Sequence, residues 1–180
     1  MLLHRETGGV APDIAGRALF QRAETRYRAY LPMRIVPPLE KSFSGKQQAL
    51  ARCADLYAEA VRIGDAATVS ASLHRIGEGL EDFRTAILTS PAPPELSAEE
   101  KEEYVFLLEE RAAPIEDRAV ESYRNNLRQA VAAGHFDPFV AKSRERLRAL
   151  RPAVYAKKPE FAFPVVPVPD FLGITERTTP

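Results

Sequence analysis

Fifteen prolines punctuate the 180 residues of this chain, yet none lies between Pro38 and Pro91, while six fall from Pro152 onward. Proline lacks a backbone donor and its ring clashes with the preceding turn, so it ends or kinks helices. Long helices are therefore expected where prolines are missing, and extended chain where they crowd near the C-terminus. Hydrophobic residues make up 45% of the sequence, enough to build a core at a length typical of one domain.

Apolar spacing fills in the helices. A first helix is expected after Asp13, a suitable N-cap. Ala15, Leu19, Ala23, Tyr27 and Leu31 recur at four-residue steps with Phe20 and Tyr30 alongside, which is one helical face. Leu31-Pro32 should end it, with extended chain through Pro37-Pro38. A second helix is predicted from Leu39 to Ile63, with a stripe of Leu39, Phe43, Leu50, Cys53, Tyr57 and Val61 and a stop at Gly64. Asp65 then caps a third, whose Val69, Leu73, Ile76, Leu80, Phe83 and Ile87 alternate steps of four and three, the spacing of a helix packed lengthwise on another. Gly77 and Gly79 weaken that helix by about 1 kcal/mol each relative to alanine, so close approach by a neighbour is expected there. Ser97 and Glu100 form a capping box for a fourth helix carrying Tyr104, Leu107, Leu108, Ile115, Ala119, Tyr123, Leu127 and Ala130. Pro114 inside it predicts a kink or a break, and Gly134 a stop. Asp137-Pro138 opens a fifth helix with Phe139, Ser143, Leu147 and Leu150, closed at Arg151-Pro152. No strand pattern emerges. The expected fold is all-α: an antiparallel array or bundle of about five helices over residues 13–156, preceded by a disordered or extended segment (1–12) and followed by an extended proline-rich tail (157–180).

Charge excludes some partners. The 25 basic and 25 acidic side chains cancel, which removes the electrostatic case for nucleic acid or an anionic membrane surface. Locally they separate: acids dominate from Glu95 to Glu121, and bases from Arg124 to Lys158. Either the two helices neutralise each other or stay solvated, or the polarised surface orients a partner. No apolar run approaches the ~20 residues that span a bilayer. The first dozen residues lack the apolar stretch of a secretion signal, which makes the cytoplasm the default expectation.

The stretch from Leu39 to about Tyr155 also carries a family likeness. His74-Arg75-Ile76-Gly77-Glu78 with Asp82-Phe83, then Leu88 to Ser90 with Pro93 and Pro94, begin it. Glu102-Glu103-Tyr104 through Leu107-Leu108-Glu109-Glu110, Pro114-Ile115-Glu116 and Ala119 follow, and Gly134 to Asp137, Lys142-Ser143 and Pro152 to Ala156 complete it. With these residues the chain resembles the tetratricopeptide-like helical-repeat proteins of proteobacterial envelope and gliding-motility gene clusters. The resemblance implies a superhelix of paired helices that acts as a scaffold for protein partners, often in the periplasm. The chain departs from the classical repeat consensus in having no tryptophan.

Residues that could carry chemistry are few. Cys53, the single cysteine, sits on an apolar stripe and reads as a buried structural thiol. Ser44-Gly45-Lys46-Gln47 lacks the earlier glycine and the following hydroxyl of a phosphate loop, and Gly77-Glu78-Gly79 follows no strand. His74, Glu78 and Asp82 share one helix edge. They could hold a cation weakly, as the core of a metal-binding or enzymatic bundle, but a solvated polar face is the expectation, with no metal, cofactor or catalytic residue assigned. The tail is less ordinary. Phe161, Phe163, Val165, Val166, Val168, Phe171, Leu172 and Ile174 are too apolar for a solvated linker, and the prolines among them forbid a helix. They are expected to dock in extended form, either on the chain's own helices or on another molecule, a protein partner or a second copy of the chain.

Overall fold

The computed structural model describes residues 12–156, and among these every regular element is a helix. The eight apolar tail residues and the N-terminal eleven lie outside the described residues. Five long helices, α1 (Pro12–Tyr30), α2 (Leu39–Ile63), α3 (Ala66–Leu88), α4 (Ala98–Ala133) and α5 (Pro138–Leu150), are followed by a single turn, α6 (Pro152–Tyr155). The sequence had Pro152 only closing α5. It also starts α6 from the first helical position, where its missing N–H costs nothing.

Capping chemistry sets most boundaries. The Asp65 carboxylate accepts from the Thr68 amide at 2.8 Å, and Ser97 and Glu100 close the reciprocal capping box of α4. Asp137 accepts from the amides of Phe139 and Val140, each at 2.9 Å. Gly134 ends α4 with φ +61°, a conformation that favours glycine. Two expectations fail at helix ends. Helix α1 begins at Pro12, so Asp13 lies in its first turn and faces Arg17 at 3.5 Å. Leu31 falls past the helix end and is exposed.

Helix α4 runs unbroken through Pro114, so the break allowed by the sequence does not occur. Proline there leaves the Glu110 carbonyl without its usual donor. Both residues are exposed, and water can serve the freed carbonyl. At 36 residues α4 outruns the 23 of α3 by about 20 Å at 1.5 Å per residue. Its first half is accordingly little covered: Val105, Phe106 and Leu107 are exposed, although Leu107 was assigned to the apolar stripe. The wheel places it on the outer side, while Tyr104 and Leu108 turn inward.

Consecutive helices run antiparallel. Phe43 stacks on Phe83 while Leu50 lies beside Gly79, and Ser122 bonds Leu73 while Tyr104 meets Ser90. Helix α3 is the hub, touching α1, α2, α4 and α5. Odd-numbered helices touch one another (α1 with α3, α3 with α5), whereas α2 and α4 do not meet at the backbone. The two glycines of α3 admit its neighbours. A Cβ on Gly77 would fall 2.5 Å from the Tyr123 ring, and one on Gly79 would fall 2.7 Å from Leu50 Cδ1. The backbone of α1 comes as close to the end of α2: a Cβ on Gly16 would lie 2.5 Å from Gly64 Cα.

Candidate functional site

Helix α3 presents two different sides. Toward α1 and α5 it carries Arg75, His74, Glu78 and Glu81, and the solvated polar face expected for His74, Glu78 and Asp82 is found only in part: Glu78 and Asp82 stay about one-third exposed, at 34% and 33%, but His74 does not. His74 is 1% exposed. Its Nδ1 lies 3.0 Å from Ser143 Oγ of α5, which in turn accepts from Asn126 Nδ2 of α4 at 2.9 Å. Its Nε2 stands 3.3 Å from Glu78 Oε1 but off the line of a hydrogen bond. The physical reason His74 is withdrawn from solvent is that Tyr123 of α4 and Phe139 of α5 pack on its ring.

The neighbouring contacts extend the network. Arg75 Nε donates to Glu24 Oε1 of α1 at 2.9 Å and Nη1 to Glu78 Oε2 at 2.6 Å. Glu24 also accepts from the Tyr57 hydroxyl of α2 at 2.5 Å. Burial pushes the Glu78 carboxyl up, but the side chains of His74 and Arg75 outweigh it and hold the group at about 2. Glu81 accepts from the Tyr123 hydroxyl at 2.6 Å and from Arg146 Nε at 2.9 Å. Burial, followed by the bond to Glu81, pushes the Tyr123 hydroxyl far above its ordinary range.

Asp82, the third member of the His74, Glu78, Asp82 ladder, points elsewhere. It pairs at 2.7 Å with Lys46 Nζ, which is itself 1% exposed and donates to the Met33 carbonyl at 2.8 Å. The ammonium also sits 4.2 Å from the Tyr30 ring centroid. The ladder is therefore divided between two clusters, and among the described residues no group of three or more His, Cys, Asp or Glu side chains is arranged to hold a metal ion. Cys53 is buried, and burial pushes its thiol up, the opposite of an activated nucleophile.

Toward α2 and α4 the third helix shows its apolar stripe. Because the backbones of those two helices stay more than 8 Å apart, a groove runs between them, bridged by side chains. Ile76, Leu80, Phe83 and Ile87 form the floor, Phe43, Leu50 and Ala54 one wall, and Leu108, Ile115 and Arg111 the other. It comprises two adjoining cavities of about 430 and 400 Å³ that share Phe43, Ile87 and Arg111. Arg111 lies 5.7 Å over the Phe43 ring. Arg111 and Arg118 on the rim have no carboxylate partner among the described residues.

No protein family, curated protein or solved structure matches this chain. What it can do rests on the residues themselves. Among the described residues, no helix is long and apolar enough to cross a membrane.

Sequence reasoning missed Lys46, Glu24, Ser143 and Asn126 as members of the buried network. A signal existed for most of them. Lys46 stands on the α2 stripe between Phe43 and Leu50, and Asn126 on the α4 stripe between Tyr123 and Ala130. A polar side chain at a stripe position is buried with its stripe and has to be partnered.

Proposed function

We propose that this chain is a non-catalytic scaffold or assembly subunit of helical-repeat type, which takes an extended apolar segment of protein in the groove between α2 and α4. The groove is the observation that carries the reading. It is lined mainly by Phe, Leu, Ile and Ala; the charges on it are the guanidiniums of Arg111 and Arg118 at the larger cavity and the Glu40 carboxylate at the smaller. Such a surface suits a proline-bearing strand of apolar side chains with an occasional acid. Contact among odd helices and not among even ones is what stacking of helix pairs requires, and this agrees with the resemblance to tetratricopeptide-like proteins. On that resemblance the assembly would belong to the bacterial cell envelope.

The alternative, a metal-binding or enzymatic bundle on His74, Glu78 and Asp82, has less behind it. The polar atoms of those side chains face Ser143, Arg75 and Lys46, and His74 has no open approach.

A photoreactive residue in place of Gln47, exposed on the α2 rim of the groove, tests the proposal in cells of the source organism. Irradiation should join the chain to protein at this position and not at Glu145, exposed on α5. Equal or absent protein adducts at the two positions would remove the groove as an interaction surface.

A further inference from the structure

We infer that the occupant of the α2/α4 groove is the segment Phe161–Ile174 of a second copy of this chain, so that two copies exchange their C-terminal tails. The inference rests on the reading of the groove as a binder of extended apolar protein, and names its partner.

Chemistry and reach both point to this segment. It offers Phe161, Phe163, Val165, Val166, Val168, Phe171, Leu172 and Ile174 within fourteen positions, spaced by Pro164, Pro167 and Pro169. Proline fixes φ in advance and reduces the ordering cost of an extended chain on docking. Asp170 is the one charge in the segment, and Arg111 and Arg118, which have no carboxylate partner among the described residues, stand on the rim of the larger cavity, while Glu40 lines the smaller one. An aliphatic and aromatic floor, two cationic rim positions and an apolar strand with a single carboxylate are complementary.

Reach favours the second copy. The described chain ends at Ala156, just after α6, which touches α5. Arg151, at the start of that turn, bonds Glu116 and Asp117 on one side of α4. Ile115 and Arg118 line the groove on the other side of α4. Half the circumference of a helix with its side chains, 10–12 Å across, is about 16–19 Å. The five steps from Ala156 to Phe161 span at most about 18 Å when fully extended, so a chain's own groove is met only by a linker pulled taut around α4. A partner placed alongside imposes no such stretch.

The test uses the purified full-length chain. Sedimentation equilibrium should show a dimer. F163E together with F171E should return it to monomer with helicity unchanged by circular dichroism. R111E with R118E should weaken the dimer at least tenfold, and adding D170K to that variant should restore at least part of the loss. A photoreactive residue at position 47, in a mixture of isotopically light and heavy copies, identifies the source of the bound segment. Adducts to residues 161–174 that join light to heavy chains support the exchange. Adducts confined within one chain, or a monomer that gives no adduct to the tail, overturn it. If the pure protein is monomeric while position 47 still captures a different protein in cells, the exchange fails and the scaffold reading stands.

Discussion

The two sides of α3 reverse the usual expectation. Toward α1 and α5 the helix presents ionisable side chains, and the one at their centre, His74, is closed off from solvent while Arg75 and Glu78 beside it stay partly exposed. Toward α2 and α4 it presents the cleanest apolar stripe in the chain, and there the covering helices leave a groove. His74 is less exposed than Leu80, at 1% against 8%. Hydrophobic periodicity marks where a helix lies against something, but closure is decided by the helices that reach it. A polar side becomes the inside when its groups can be matched one to one, as Arg75 is with Glu24 and Glu78.

The largest effect expected of a single change is on the polar side. Arg75→Met leaves Glu24 buried and charged with only the Tyr57 hydroxyl. Breaking a buried pair costs about 3–5 kcal/mol, and because Arg75 retains some solvent contact the lower end, about 3 kcal/mol, is expected in urea unfolding. Leu80→Ala, on the groove side, should cost about 2 kcal/mol, the low end for core leucines, because the groove walls can move into the space. If Leu80→Ala proves more damaging than Arg75→Met, the matched polar network holds α3 less firmly than the apolar floor does and the comparison is wrong.

The two glycines sharpen the contrast. Gly77→Ala drives a methyl into the Tyr123 ring, which is wholly buried and tied to Glu81. Overpacking of about 1–3 kcal/mol, less about 1 kcal/mol of gained helix propensity, leaves a net loss of about 1 kcal/mol. Gly79→Ala meets the end of the Leu50 side chain on the groove wall. That methyl can swing aside, and the expected change in melting temperature is close to zero.

The polar side also sets a pH dependence. Glu78 is held below its ordinary 4.5, at about 2, so it stabilises the fold above pH 4.5. That contribution is lost as the pH falls from there toward 2. The Glu78→Gln variant should lose less stability than the parent over that interval in acid titrations followed by circular dichroism. An unchanged acid limb would mean that Arg75 and His74 do not favour the charged form.

Much of the fold was legible in the sequence because caps and prolines act locally. Asp65, Ser97 with Glu100, Gly134 and Asp137-Pro138 each fixed a boundary through the next few residues. The single turn at Pro152 was not legible, since a proline after a helix serves equally to stop one helix and to start another. The groove was not legible either. Its existence depends on α2 and α4 standing apart, a distance set by side chains on three helices at once. His74 was misread for a related reason. Its four-residue ladder with Glu78 and Asp82 describes one edge of one helix, and nothing within α3 records that α5 lies across it.

The central position of α3 has a consequence for how the molecule opens. Four of the other five helices rest on it, so its backbone amides cannot meet solvent until those contacts are gone. Their hydrogens should exchange only with global unfolding, all with one free energy of opening. The overhanging first turns of α4 and the single turn α6 have no such enclosure. Their amides should exchange through local fraying, orders of magnitude sooner, long before the centre yields.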